Sequence, residues 1–193
     1  MRIIGGQAAG RLLKVPKGLA VRPTPDLVRQ AIFNSLGDAV AEARVLELFA
    51  GSGALGLECL SRGAAEVTAV EKHPRHAAWI RANLEASGLP SERFSLRRQD
   101  AFAALRALLE AGCRFELIMA DPPFGEKTRG GPSRSFSQKL LEDPALPELL
   151  APGGLFVLGH AARDEVRLPE RWRERRALRH GDSVFRILAA AAG

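Results

Sequence analysis

Three glycines in the stretch FAGSGALGLE, residues 49–58, have a spacing suited to binding a nucleoside cofactor. Gly51, Gly53 and Gly56 form the pattern G-x-G-x-x-G, and the acidic residue Glu71 follows Gly51 by twenty positions. Such glycines let the backbone approach a ligand, the following helix presents N–H groups, and the acid can accept hydrogen bonds from ribose hydroxyls. This pattern occurs both in proteins that bind nicotinamide dinucleotides and in proteins that bind other nucleosides, so both alternatives stay open at this point.

A second stretch, ELIMADPPFGE, contains residues suited to chemistry on an amino group. The Asp121 carboxylate and the Pro122 carbonyl are acceptors, the two successive prolines remove N–H donors, and Phe124 adds an aromatic face. The exocyclic amine of a nucleobase is a poor nucleophile because its lone pair is delocalised into the ring. Two acceptors that hold its hydrogens can free this lone pair, while the aromatic side chain stacks on the base.

An amine activated in this way needs an electrophile, and a sulfonium methyl group fits. The nucleoside bound at the glycines is then predicted to be S-adenosylmethionine. The dehydrogenase alternative has no comparable chemistry, because the chain contains no Tyr and no convincing His–acid pair for proton relay. Of the four histidines only His73 and His76 are near neighbours, with no third ligand close in sequence, so no metal site is predicted.

These motifs need strands and helices that bring them to one crevice. Apolar patterns predict strands at about 45–49, 66–70, 115–120 and 154–158, a weaker strand at 93–97, and helices at about 54–62, 74–87, 101–111 and 138–150. The C-terminal SVFRILAAA is predicted to be a further strand, paired with one near 172–178. Strands separated by helices indicate a parallel sheet covered on both faces, with ligands beyond the carboxyl ends of its strands.

The N-terminal residues 1–23 form a separate unit in this interpretation. They contain no acidic residue. Pairs of apolar residues separated by glycines predict a basic β-hairpin appendage, which is expected to be too polar to belong to the core. Its cations suit RNA phosphates, and a solvated basic arm is the alternative. The predicted RNA contacts are Arg2, Arg11, Lys14 and Arg22.

A helix is predicted immediately after this unit. Thr24 and Pro25 are typical of a helix start, with Thr24 as the N-cap and Pro25 at the first helical position. The helix is expected to end at Gly37. The side chains expected to face inward are Leu27, Ala31 and Phe33.

Composition sets broader bounds on the protein. A chain of 193 residues, 46% of them hydrophobic, suits one domain over residues 24–193 besides the appendage. No apolar run approaches the ~18 residues of a membrane span, and no secretory signal is evident, so no membrane partner is expected. Cys59 and Cys113 fit no metal or redox spacing, which indicates a reducing cytoplasm. The net charge of +6 favours an anionic partner such as nucleic acid.

Taken together, these residues resemble the RsmD family of bacterial 16S rRNA guanine-N2 methyltransferases. The resemblance implies an α/β fold, the Rossmann-like class I S-adenosylmethionine-dependent methyltransferase fold, with a mostly parallel seven-stranded sheet and helices on both faces. The matching stretches are Arg2-Ile-Ile-Gly-Gly-Gln7 with Gly10-Arg11, Arg22-Pro-Thr24 with Asp26, Arg29 and Phe33-Asn34, Leu48–Glu58, Asp121-Pro-Pro-Phe124 and Gly153-Gly154.

The resemblance also implies roles for single residues. Gly51, Ser52 and Gly53 would bind the methionine part of the cofactor. Glu71 would bind its ribose, and Lys72, the next residue, would also belong to the cofactor site. The adenine would be met by Asp100 and Ala101. Asp121, which also borders the cofactor, and Phe124 would bind the target base, with Pro122 as the second acceptor.

The implied partner is 16S rRNA, in an assembling or assembled 30S particle, and the protein is expected to be a monomer. Two alternatives stay open. One is a DNA adenine or cytosine amino-methyltransferase, although 193 residues leave little room for a target-recognition region. The other is a non-catalytic RNA-binding assembly factor on the same scaffold, which would have no need for Asp121 or for the glycines.

Overall fold

The computed structural model describes residues 1–15, 24–124 and 135–191, which include seven strands and six α-helices. The strands are β1 (Arg44–Leu48), β2 (Glu66–Val70), β3 (Phe94–Arg97), β4 (Phe115–Ala120), β5 (Leu150–Ala161), β6 (Trp172–His180) and β7 (Ser183–Ala190). The helices are α1 (Asp26–Leu36), α2 (Ala54–Ser61), α3 (Pro74–Ser87), α4 (Ala101–Glu110), α5 (Phe136–Glu142) and α6 (Ala145–Glu148).

All seven strands belong to one sheet, in the order β3-β2-β1-β4-β5-β7-β6. Strands β1 to β5 pair in parallel, whereas β7 is antiparallel to both β5 and β6. This mostly parallel sheet with helices on both faces confirms the methyltransferase fold class that the resemblance implies. The weak strand predicted at 93–97 and the C-terminal strand pair are confirmed as well.

Two hydrophobic cores cover the two faces of the sheet. The first core lies under α1, α2 and α3 and includes Val45 and Leu117, whereas the second lies under α4, α5 and α6 and includes Leu46 and Ile118. Adjacent residues of β1 and β4 thus enter opposite cores, as the two-residue period of a strand requires. Burial on both sides explains why these central strands read as continuous apolar runs.

Two predicted helices differ in detail. The one expected at 138–150 is divided into α5 and α6, because Asp143 caps the first and Pro144, which has no N–H to continue the ladder, precedes the second. Residue 150 already belongs to β5. Helix α1 ends at Gly37 as predicted, but Pro25 rather than Thr24 occupies the N-cap.

The buried face of α1 also differs from the prediction. Leu27 is 72% exposed, so its expected inward position is wrong. Phe33 is buried, together with Val28 and Ile32. The apolar period of the helix therefore runs one residue later than predicted at its start.

The N-terminal segment, described over residues 1–15, packs into the first core. Ile3, Ala8 and Leu13 are buried there, so the expectation that this segment is too polar for the core is wrong. Its pairing is limited to one antiparallel bridge between Arg2 and Leu12 instead of a regular hairpin. The alternating pattern buries every apolar side chain that faces the domain and leaves the cations outside.

Both cysteines are free, Cys59 in the interior and Cys113 partly exposed. Among the described residues, no helix combines the length and the apolar character needed to cross a membrane.

Candidate functional site

The two predicted motifs meet where the strand order reverses direction. Strands β1 and β4 are neighbours, and Leu48 at the end of β1 is in register with Ala120 at the end of β4. From β1 the chain proceeds toward β2 and β3, whereas from β4 it proceeds toward β5. The loops that follow these strands therefore open into one crevice, the usual ligand site of such sheets.

The glycine loop between β1 and α2 has the backbone conformation that the sequence predicts. Gly51 and Gly53 have φ angles of 58° and 76°, in the left-handed region that side chains oppose. The third glycine, Gly56, has a different function. A Cβ atom at Gly56 would lie 2.6 Å from Oε2 of Glu47, so this glycine lets α2 pack closely on β1.

Several N–H groups of this loop already have acceptors within the protein. Gly51 donates to Glu71 at 2.8 Å, Gly53 to the carbonyl of Ala50 at 2.7 Å, and Leu55 to Glu47 at 3.2 Å. These three amides are therefore not available to a ligand. Within the described part of the chain, the amides of Ser52 and Ala54 have no partner, and they are the donors left for a ligand.

Glu47 is a buried carboxyl group beneath the first turn of α2. Gly53 has no side chain to cap this helix, and Glu47 supplies the acceptor instead. Burial raises the pKa of Glu47 to about 8, an effect partly offset by the N–H groups of Gly56 and Leu55. In the sequence, Glu47 is an acidic residue within the apolar run VLELF, and this position could have identified it as a buried carboxyl group.

Glu71 stands at the end of β2 with its side chain against the glycine loop. Its Oε2 accepts from the Gly51 amide, its Oε1 accepts from the His73 amide at 2.7 Å, and His76 Nδ1 lies 3.6 Å from Oε1. Each carboxylate oxygen keeps a further acceptor position for a hydroxyl. Lys72, the next residue, is exposed.

The predicted adenine contacts lie at the start of α4. Asp100 is the N-cap of this helix and accepts from the amides of Phe102 and Ala103 at 3.0 and 3.3 Å through one oxygen, Oδ1. Ala101 is buried. Beside them, the buried Nε2 of Gln99 has no hydrogen-bond partner among the described residues. This orphaned donor and the second Asp100 oxygen are a donor and an acceptor available to a ligand at this point.

Asp121 follows β4 directly and is held by a residue far away in the chain. The Thr24 hydroxyl donates to Asp121 Oδ2 at 2.5 Å. Burial raises the pKa of Asp121 to about 6, and the Thr24 hydrogen bond offsets part of that rise. A Cβ atom on Gly159 would lie 2.5 Å from Oδ1, so this glycine of β5 leaves space for the carboxylate.

The rest of the D-P-P-F tetrapeptide separates into a buried and an exposed part. Pro122 is buried and Pro123 is exposed. The Phe124 ring is 41% exposed, and the guanidinium carbon of Arg163 lies 6.0 Å from its centroid. An aromatic face available beside a half-buried carboxylate can stack on a flat base. The sequence GEKTRGGPSRSFS, residues 125–137, is typical of a basic Gly/Ser loop; residues 125–134 lie outside the described ranges, and α5 begins at Phe136.

Two polar residues that the sequence analysis missed join the N-terminal segment to the site. Glu58 accepts from the amides of Ile4 and Gly5 at 2.7 and 2.8 Å. The Asn83 side chain accepts from the Lys14 amide at 2.7 Å and donates to the carbonyls of Lys14 and Ser52, both at 2.9 Å. The segment is thus fixed to α2 through Glu58 and to α3 through Asn83, which also holds the glycine loop at Ser52.

Of the predicted RNA contacts, Arg2, Arg11 and Lys14 are exposed, and Arg22 lies outside the described residues. Arg2 is also 3.3 Å from Asp26, and its carbonyl accepts from the buried Arg29.

His73 and His76 stack at 4.7 Å between ring centroids. Within the described ranges, no group of three or more His, Cys, Asp or Glu residues could hold a metal ion.

Comparisons with known proteins agree on one family. A family model described as conserved hypothetical protein 95 matches residues 1–189. Ribosomal RNA small subunit methyltransferase D of Escherichia coli is 40% identical over 124 residues, which are 64% of this chain and 60% of that protein. The chain thus spans less than two thirds of the length of this curated relative.

Solved structures extend the similarity to the whole chain. The Escherichia coli protein yhhF is 32% identical, with a TM-score of 0.77, and the match covers 100% of this chain and 99% of that one. A Thermus thermophilus 16S rRNA N2 methyltransferase, solved with S-adenosylmethionine and guanosine, is 26% identical with a TM-score of 0.69. That match covers 92% of this chain and 45% of the other.

Proposed function

Because the chain belongs to the RsmD family, whose model is described as conserved hypothetical protein 95, we propose that it methylates the exocyclic 2-amino group of a guanine in 16S rRNA. The methyl donor is S-adenosylmethionine, the cofactor with which a relative of the same fold was solved. The observation that carries the proposal is the half-buried Asp121 carboxylate, held by Thr24, beside the exposed Phe124 ring, at the crevice that the glycine loop also borders.

The cofactor site fits the residues present. The amides of Ser52 and Ala54 suit the carboxylate of the methionine part. Glu71 suits the ribose. Asp100, with Gln99 and Ala101, suits the adenine. Lys72, beside Glu71, would neutralise charge at the rim. When bound, S-adenosylmethionine supplies an electrophilic methyl group on its sulfonium.

Asp121 prepares the nucleophile in this mechanism. Its carboxylate accepts a hydrogen bond from the guanine amine, with the Pro122 carbonyl as the second acceptor. Held in this way, the amine becomes pyramidal and its lone pair is no longer delocalised into the ring. Thr24 fixes one carboxylate oxygen, and Gly159 leaves room for the other. Phe124 stacks on the base and excludes water from one face.

The proposed substrate can be tested directly. Methyl incorporation from labelled S-adenosylmethionine should be measured with naked 16S rRNA, assembled 30S particles and duplex DNA. We expect labelled N2-methylguanine in RNA and none in DNA. Transfer to adenine or cytosine of DNA would indicate the DNA amino-methyltransferase, and RNA binding without any transfer would indicate the assembly factor. We also propose that the protein acts on its substrate within a 30S particle, that it is a monomer, and that it is located in the cytoplasm.

Thr24 is predicted to set the pH dependence of methyl transfer. Ionised Asp121 is the stronger acceptor for the amine hydrogen, so activity should fall as pH falls through about 6, the pKa of Asp121. The Thr24 hydroxyl lowers this pKa, and Thr24→Val should therefore move the acidic limb of the pH–rate profile to higher pH. Thr24→Ser keeps the hydroxyl and should restore the wild-type limb. An unchanged limb in the valine variant contradicts this function of Thr24.

Residues 1–23 are proposed to contact RNA through Arg2, Arg11, Lys14 and Arg22, beside the domain over residues 24–193. Replacing Arg2, Arg11 and Lys14 with alanine should weaken RNA binding and reduce the salt slope of log K by roughly 0.7–0.9 for each lost phosphate contact. Cofactor affinity is the control, because the backbone anchors at Asn83 and Glu58 remain. Equal slopes for wild type and variant would restore the alternative of a solvated arm.

A further inference from the structure

Strand β6 is an edge strand that carries an exposed row of arginines. It pairs with β7 at one side and ends the strand order of the sheet. Trp172 anchors its beginning, because Nε1 donates to the Leu141 carbonyl at 2.9 Å and the ring packs 5.3 Å from Phe156. Beyond this anchor the side chains are mainly exposed. They include Arg173, Arg175, Arg176 and Arg179.

The positive charge of this row is not compensated within the described part of the chain. Glu174 is the one acid of the strand, and it is paired with Arg186 of β7 at 2.9 Å. The four arginines form no ion pair with a described residue. An edge strand with four unpaired guanidinium groups has a charge complementary to a polyanion.

A bulge in β6 places two of the arginines on the face that carries the N-terminal segment. The register shifts between Glu174 and Arg176, so Arg173 and Arg176 lie opposite Ala189 and Ile187, which are two residues apart on β7. Residues two apart on a strand share a face. Ile187 belongs to the first core, which also contains the N-terminal segment.

One end of the row lies at the same end of the sheet as the crevice. Strand β7 is antiparallel to β5 and to β6, so the C-terminal ends of β5 and β6 lie at the same end of the sheet. Asp121 follows the parallel strand β4 at this end. Arg179, next to the last residue of β6, is therefore at the crevice end of the sheet, three strands or roughly 14 Å from β4 at about 4.8 Å per strand. Arg173 lies roughly 20 Å further along the edge at about 3.3 Å per residue.

We propose that the arginine row of β6 is a second phosphate-binding surface for the RNA substrate, which follows the backbone away from the crevice. The inference deepens the proposed function and rests on it. Guanidinium forks bind phosphate oxygens in two-point contacts, and such contacts position an RNA without reading its bases. Arg173 and Arg176 lie on the same face of the sheet as the N-terminal segment, whereas Arg179, opposite Val184, lies on the other face of this edge strand.

A charged edge strand has another established effect, the prevention of edge-to-edge pairing between molecules. That effect predicts no contribution to RNA affinity, and it predicts self-association once the charges are removed. The two explanations therefore differ in measurable outcomes.

The test compares two variants that lose equal charge. The first is Arg173→Gln, Arg176→Gln and Arg179→Gln. The control is Arg93→Gln, Arg106→Gln and Arg114→Gln, three exposed arginines away from β6. RNA affinity is measured against salt concentration for both variants and the wild type, with a 16S rRNA fragment as the probe. Light scattering of the free proteins and cofactor affinity establish that each variant is folded and monodisperse.

We expect the slope of log K against log salt to fall by roughly 2 in the β6 variant if each arginine contacts one phosphate, and to change little in the control. Lysine at the same three positions should retain most of the slope. Equal slopes in the β6 variant and the control would overturn the inference, as would self-association of the β6 variant with the wild-type slope. Failure of the wild type to bind or methylate RNA would instead contradict the proposed function.

Discussion

Asp121→Ala is expected to lower the rate of methyl transfer at least about 100-fold while S-adenosylmethionine affinity stays near the wild-type value. The carboxylate acts on the target amine, and its removal takes away the acceptor that Thr24 holds in place. Asp121→Asn keeps one acceptor without the charge and should retain partial activity. Single-turnover rates at saturating cofactor, with calorimetry of cofactor binding, measure both quantities.

An exposed carboxylate provides the matched control for this experiment. Asp38, in the turn after α1, is exposed, and Asp38→Ala should leave both the rate and the affinity unchanged. Phe124→Leu should chiefly impair binding of the base, and Phe124→Tyr should be tolerated. Full activity in Asp121→Ala would remove the basis of the proposed mechanism.

Glu71→Ala is expected to weaken S-adenosylmethionine binding by about 1–3 kcal/mol, which is roughly 5- to 150-fold in the dissociation constant. Two effects contribute to this loss. The ribose loses its acceptor, and the amides of Gly51 and His73 lose the carboxylate that fixes the glycine loop. Isothermal calorimetry measures the affinity.

The control for this variant lies at the other end of the same strand. Glu66 begins β2 and is exposed, so Glu66→Ala should leave cofactor binding unchanged. Glu71→Gln tests the charge separately, because it keeps the shape of the side chain. Wild-type affinity in Glu71→Ala would place the ribose contact elsewhere, and tight binding of NADH by the wild type would contradict the choice of cofactor.

The sheet and the position of the crevice were predictable because local patterns determine them. Apolar runs of strand length identified the central strands, and a glycine pattern and D-P-P-F mark the loops after β1 and β4. The division of the predicted helix 138–150 was also visible in principle, since Pro144 interrupts it. Leu27 was misplaced because a one-residue error in helical phase moves a side chain by about 100°.

The polar connections of the site were not predictable from one sequence. Thr24 reads locally as a helix cap, and its bond to Asp121 joins residues 97 positions apart. Asn83 reads as an ordinary polar residue of a helix, although it bonds to both Lys14 and Ser52. The arginines of β6 belong to a chain that is basic throughout, so composition did not distinguish them before the edge position was known.

The wide sequence separation of these bonds has a consequence for the order of folding. Three residues of this part of the chain need partners that are synthesised later: Ile4 bonds to a residue 54 positions away, Lys14 to one 69 away, and Thr24 to one 97 away. Closing such long loops costs entropy, which is recovered only once the sheet and its helices exist. The N-terminal segment should therefore dock last during folding, and in the native protein it should exchange its amide hydrogens faster than the central strands. On this basis the crevice is completed by a late docking step and can reopen without unfolding of the sheet.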